Sequence, residues 1–301
     1  MEVTTAMVKE LRERTGAGIL ACKNALVECD GDMDKAIDAL RERGEAQAVK
    51  KSGRIAAEGI VMAEVKDDKN AVIVEVNSET DFVAKNEKFQ TFVKAVVEQI
   101  FATNAADVEG LLADKLLNDP SKTLKEELVS QIATIGENLT IRRFAKINSD
   151  NLVVSYIHGG GRIGVLVEAE AENNDANKEA LKNVAMQIAA LSPKYVSRDD
   201  VDAEYLAHET EILTTQAKNE NPNKPDNIIE KMIQGRLNKE LKEVCLLDQA
   251  YVKDADMNVA AYLKTVGDIK VKKFVRFETG EGLEKKQENF AEEVAKQMAG
   301  N

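Results

Sequence analysis

The segment LVVSYIHGGGRIGVLVEAEAENNDANKEALKNVAMQIAALSP, residues 152–193, reads as strand, glycine turn, strand, polar connection and amphipathic helix. About ninety residues earlier the same order appears. GIVMAEV (59–65) and AVIVEV (71–76), joined by the polar turn KDDKN (66–70), precede a helical stretch that places Phe89, Phe92, Val93, Val96, Val97 and Ile100 on one side. The two helices also end alike, VVEQIFA (96–102) against NVAMQIAA (183–190). Self-similarity of this kind predicts a duplicated core of two related α+β halves, the first over 55–148 and the second over 149–280.

Upstream of the repeat, residues 1–54 alternate helix signals with glycine punctuation. Thr4 and Thr5 can cap a helix carrying Met7, Val8 and Leu11, which TGAG (15–18) breaks. ILACKNALVEC (19–29) sets Ile19, Leu20, Cys22, Ala25 and Leu26 at helical spacing until DGD (30–32) turns the chain, and MDKAIDALRERG (33–44) gives a third helix ending at Gly44. The size and pattern are those of a three-helix, ubiquitin-associated-like module, which implies binding rather than chemistry. KKSGRIAAEG (50–59) reads as a linker.

EELVSQIATIGENLTIRRFAKI (126–147) predicts a helix ending at Gly136 and then a strand with Leu139, Ile141 and the pair Arg142–Arg143 on a solvated or salt-bridged face. Within the second half, about 197–245, two helical stretches meet at ENPNKP (220–225). The prolines enforce a break and the short joint predicts an antiparallel helical hairpin of coiled-coil type, inserted into that half. Strand character returns with Val271, Phe274, Val275 and Phe277. The tail, 281–301, predicts a C-terminal helical module with Phe290, Val294 and Met298 on one face.

A chain of 301 residues with 44% hydrophobic and 31% charged residues can bury a substantial core. Its formal net charge of −12 argues against a nucleic-acid surface, because phosphates are neutralised by Lys and Arg, and directs attention to protein partners. No apolar stretch has signal-peptide or membrane-span character, so the expected compartment is the cytoplasm. Cys22, Cys29 and Cys245 form no CxxC pair, and His158 and His208 are the only histidines, so no zinc site and no cofactor are expected. GGGRIG (159–164) matches GxGxxG, and HGGG (158–161) resembles a hydrolase oxyanion loop. The first joins two strands instead of opening a helix, and the second lacks a GxSxG elbow. Covalent catalysis is not expected.

One residue stands out against this background. Between the second strand and the helix the first repeat is longer than the second, and the surplus falls in SETDFVAKN (78–86), which contains Phe82; the second repeat makes the same connection with AENNDAN (171–177) and no aromatic. The turn itself does not require Phe82. Two readings stand: Thr80 or Asp81 caps a helix while Phe82 tucks beneath it into the core, or Phe82 points outward.

LRERTGAGILACKNAL (11–26) and EVNSETDFVAK (75–85) resemble the two signature segments of the bacterial elongation factor Ts family, the first departing at Ala21, where the family commonly has Asp. IGENLTIRR (135–143) and the HGGGRIG turn (158–164) are also similar to family segments. The resemblance implies a nucleotide exchange factor, without covalent chemistry, for the GTPase elongation factor Tu in its GDP-bound and nucleotide-free forms. It places Asp81 and Phe82, flanked by Thr80 and Val83, at the tip of the core, with Phe82 wedging near the magnesium and phosphate site. Further partner contacts are implied at Ile19, Leu20 and Lys23, at Ile135, Gly136 and His158, and along the C-terminal helix. Each has a structural alternative: Ile19 and Leu20 as module core, Gly136 as a helix stop, His158 as a turn residue. The rival reading is a non-enzymatic cytoplasmic adaptor. Family members include dimers as well as one-to-one complexes, so the resemblance leaves open whether the hairpin or the complex serves self-association or partner contact.

Overall fold

The computed structural model describes residues 3–284, and helix and antiparallel strand are arranged there in the α+β manner expected. The expected helical face of Phe290, Val294 and Met298 lies outside the described residues.

The chain begins with α1 (Thr5–Thr15), α2 (Ile19–Glu28) and α3 (Met33–Lys51). Thr4 caps α1 by accepting from the Met7 N–H, and Asp32 caps α3 by accepting from the Lys35 N–H. Val8, Leu11, Cys22, Ala25, Leu26 and Ala36 form a small shared core. The expected stop at Gly44 is corrected: α3 runs seven residues further. Gly44 is buried where α3 crosses a later helix, α7 (Leu124–Ile135), with room for a Cβ 3.6 Å from Ala133 and from Val129. Beyond it, Ala48 packs on the first half's core and Lys51 donates to the Ile132 carbonyl, so tertiary contact carries the helix through the glycine. Since a Cβ fits there at contact distance and the backbone is helical, Gly44→Ala is expected to raise stability by about 0.5–1 kcal/mol, read as a higher urea midpoint at unchanged slope.

The first half pairs β1 (Glu58–Lys66) with β2 (Asn70–Ser78), continues through α4 (Asp81–Ala84), α5 (Glu87–Ala102), α6 (Val108–Ala113) and α7, and returns with β3 (Thr140–Asn148) on the other side of β2. The second half repeats the plan. There β4 (Leu152–His158) pairs with β5 (Ile163–Glu170), α8 (Asp175–Leu191) follows, and after α9 (Ala203–Glu220), α10 (Asp226–Val244), the short ribbon β6 (Ala250–Tyr251) and β7 (Asp254–Asn258), and α11 (Val259–Val266), strand β8 (Lys270–Glu278) pairs with β5. Sheet orders are β1-β2-β3 and β4-β5-β8, each antiparallel with the second strand in the middle.

Alternation along the central strands sorts their side chains into layers. Val72, Val74 and Val76 face α5, and Val165 and Val167 face α8. Ala71 and Ile73 of one sheet meet Val153 and Leu166 of the other in a shared inner layer with Val61 and Ile147. Burial on both faces explains why β2 reads as a nearly continuous apolar run rather than an alternating one. The sheets approach closely where β1 meets the β4–β5 turn: the Val61 N–H donates to the Gly161 carbonyl at 2.7 Å, and a Cβ on Gly161, whose φ is +102°, would lie 3.0 Å from Ile60.

Polar groups repeat as faithfully as apolar ones. Buried Gln99 on α5 donates to the Lys115 carbonyl and accepts from the Leu117 N–H; buried Gln187 on α8 donates to the Ala250 carbonyl and accepts from the Val252 N–H. Each amide thus satisfies residues n and n+2 of a passing segment, as a neighbouring strand would. The inserted pair α9 and α10 is antiparallel, with Tyr205 donating to Glu240 and Arg236 pairing with Glu220. Its two roots lie side by side: the Lys194 N–H donates to the Val244 carbonyl and the Leu246 N–H to the Tyr195 carbonyl. Among the described residues no helix is long and apolar enough to cross a membrane.

Candidate functional site

The polar stretch after β2 folds into the single turn α4. Thr80 is its N-cap, accepting from the Val83 N–H, while Ala84 is buried and Val83 packs against the first half's core. The side chain of Phe82 takes the other direction and is 81% exposed. The buried-staple reading is thereby set aside, because α4 anchors itself through Val83 and Ala84 instead. Asp81 is exposed beside Phe82 and pairs with Lys85 at 2.6 Å, one helical turn on; that ammonium holds its carboxyl below the usual range.

A one-turn helix does not persist unaided, since nucleation costs more than one turn returns. Its support comes from the loop after α7, which ends at Gly136 with φ +90°, the left-handed cap glycine accepts readily. Just past that reversal the Glu137 carboxylate accepts the backbone N–H groups of Glu79 and Thr80, both at 3.0 Å, and the Thr80 hydroxyl at 2.7 Å. Glu79 reciprocates by accepting the Asn138 N–H at 2.7 Å and pairing with Arg54, and the Asn138 amide donates to the Arg54 carbonyl. Thr80, Asp81, Phe82 and Val83 are therefore gathered with the segment of Ile135 and Gly136, of which Gly136 is exposed and Ile135 half-buried.

Beneath this turn lies a second charged cluster. Glu75, with no exposed surface, accepts from Arg142 at 3.0 Å, Arg143 at 2.6 Å, the Asn77 amide and the Gly280 N–H. Successive strand residues normally point to opposite faces, but the β2–β3 register slips between Glu75 and Val76, pairing Glu75 with Arg143 and Val76 with Ile141, so that Arg142 is the extra residue of a bulge and both guanidiniums reach one carboxylate. Burial pushes the Glu75 carboxyl up, and the Gly280 N–H, the Asn77 amide and the two arginines outweigh it, leaving it below its ordinary value.

Ile19, Leu20 and Lys23 occupy the first turns of α2, all exposed, with Ile19 at 60% and Leu20 at 70%. The module core takes Cys22, Ala25 and Leu26 from that helix and leaves these two apolar side chains outside. His158 is exposed at the end of β4, its Nδ1 3.0 Å from the Tyr156 hydroxyl, on a turn joined to the first half through β1. Helix α2 itself packs with α1 and α3 through its buried stripe, so the candidates form separate exposed groups and not one pocket. Sequence reasoning missed Glu137, Glu79 and Glu75; the only sequence signal was acidic residues set against a helix-ending glycine and within an otherwise apolar strand.

Comparison with known proteins places the chain in a family. The family model described as "Elongation factor TS" matches residues 79–281. Elongation factor Ts of Clostridioides difficile is 58% identical over 303 residues, covering 98% of this chain and 99% of that protein. The proteins of the same name from Clostridium perfringens and Clostridium novyi are 54% and 53% identical, again over 98% of this chain and over 98% and 99% of theirs. With likeness of that degree along nearly the whole sequence, the chain belongs to the elongation factor Ts family.

Proposed function

We propose that the chain binds elongation factor Tu carrying GDP and accelerates release of the nucleotide, so that GTP can replace it, without making or breaking a covalent bond. The observation that carries the reading is Phe82. A large aromatic 81% exposed on a capped turn, beside an anchored carboxylate, has no role in the core of the described residues and the shape of an inserting wedge. Inserted near the magnesium and phosphate site, Phe82 and Asp81 would disturb the groups that hold GDP. Thr80 and Val83 fix the wedge, while Ile19, Leu20 and Lys23 on α2, together with Ile135, Gly136 and His158, supply further contacts. Burying one phenylalanine is worth roughly 1.5–3 kcal/mol, so these other surfaces must contribute to any larger acceleration.

Linkage sets the cycle. If the chain lowers the affinity for GDP by some factor, GDP lowers the affinity for the chain by the same factor, and each displaces the other. Within this reading, residues 1–54 act as a ubiquitin-associated-like docking module, 55–148 and 149–280 as the core, and 281–301 as a C-terminal contact. The pair α9 and α10 forms a coiled-coil arm, open to partner contact or to pairing in a homodimer. The setting is the cytoplasm, with no nucleic acid, membrane or cofactor involved.

The test is release of a fluorescent GDP analogue from purified elongation factor Tu at substoichiometric amounts of this chain. Rapid release of nearly all the nucleotide is expected, because an exchange catalyst turns over. Binding with unchanged release would overturn the reading in favour of an adaptor.

A further inference from the structure

We infer that Glu137 is a positioning residue for exchange, acting through Phe82 by holding the turn that carries it; this rests on the exchange-factor reading above. Three donors converge on its carboxylate: the N–H groups of Glu79 and Thr80 and the Thr80 hydroxyl. By taking the hydroxyl's proton-donating side, the carboxylate leaves the oxygen's lone pairs for the Val83 N–H, which is the cap of α4. The acceptor lies 57 residues from Thr80 in sequence, and its own position is fixed by the left-handed reversal at Gly136 and by the return bonds of Asn138 to Glu79 and Arg54.

The consequence follows from the size of α4. With four residues it has too few internal bonds to hold its own orientation, and Phe82, 81% exposed, projects from it with little packing among the described residues to fix its direction. The charge-assisted bonds that Glu137 accepts therefore restrain where the phenyl ring starts before it meets a partner, beside the bonds of Ser78 to the Thr80 carbonyl and of Gln90 to the Ala84 carbonyl. A wedge held in place before contact loses less freedom on insertion than one that must be ordered at that moment.

Glu137→Gln tests this with little change of shape. An amide has one acceptor oxygen where the carboxylate has two, so at least one of the three donors loses its partner. The measurement is stimulated release of a fluorescent GDP analogue from elongation factor Tu by four full-length chains: wild type, Glu137→Gln, Phe82→Ala and the double variant. Glu137→Gln is expected to slow release about tenfold. In the Phe82→Ala background the same change is expected to cost less than about twofold, because the group it positions is gone. Faster amide hydrogen exchange at Val83 and Ala84, with an unchanged thermal midpoint, is the expected physical signature. Equal losses in both backgrounds, or wild-type release by Glu137→Gln, would overturn the inference. Wild-type release by Phe82→Ala would instead overturn the wedge reading itself and the inference with it. Should Glu137→Gln fail to accumulate, the isosteric Thr80→Val removes the hydroxyl from the same clasp and is put through the same cycle.

Discussion

Phe82→Ala is expected to slow stimulated GDP release by roughly ten- to hundred-fold while leaving the chain's own stability within about 0.5 kcal/mol of wild type. The two halves of that expectation have separate physical sources. Because the ring is 81% exposed, truncating it opens no cavity among Val83, Ala84 and the core they touch. In a partner, by contrast, the ring would lose its water, and about 1.5–3 kcal/mol of transition-state stabilisation would go with it. Stopped-flow release and a urea melt of the free chain check both parts. A variant that melts early and releases slowly would place Phe82 among structural residues; one that releases at the wild-type rate would remove it from the site.

Glu75→Ala is expected to have the largest effect on the fold itself. The carboxylate is fully buried, and its loss leaves Arg142, Arg143, the Asn77 amide and the Gly280 N–H facing a void. Breaking a buried pair from one side costs about 3–5 kcal/mol; water reaching the partly exposed arginines places the effect near the lower figure. Glu75→Gln keeps the shape and is expected to cost less. The acid limb gives an independent check. The folded carboxyl sits below its ordinary value, so its contribution is complete above the unfolded value near 4.5 and disappears as pH falls through the folded one. Urea midpoints of wild type and Glu75→Gln should therefore converge as the pH falls below the unfolded value and through the lowered folded one. A difference that persists unchanged in acid would mean that shape, not charge, holds the cluster.

The parts of this molecule written in local periodicity were legible from the sequence. The apolar faces of α5 and α8, the hairpins that precede them, the proline joint between α9 and α10 and the stop at Gly136 each depend on residues within a few positions of one another. Gly44 was misread for a definite reason. A glycine that ends a helix and one that lies where two helices cross look the same in one dimension, and only the neighbouring α7 distinguishes them. The direction of Phe82 was undecided because a capped turn with a buried staple and a capped turn with an exposed ring share one pattern. Ile19 and Leu20 fit helical spacing as core residues, yet only the Cys22, Ala25 and Leu26 stripe of α2 meets α1 and α3, which spacing within one helix does not reveal. The Glu75 and Glu137 clusters left only a faint local sign, an acidic residue within an apolar strand and another after a helix-ending glycine. Apart from Asn77, which lies two residues from Glu75, their partners arrive from 57 to 205 residues away, and the bulge that brings Arg142 and Arg143 to one side exists only once β2 and β3 have paired.

The inserted hairpin has one more consequence. Helices of 18 and 19 residues make a rod about 27 Å long, and few of its side chains are buried. Its two roots meet in the bonds joining Lys194 and Tyr195 to Val244 and Leu246, just before the segment that Gln187 and Gln249 tie to α8. Mechanically this is a lever on a single fulcrum: anything that grips the far end exerts its torque on α8 through that one seam. Residues can be added or removed along the shaft in whole turns without disturbing the sheets, whereas a change at the seam would alter the leverage of the entire arm.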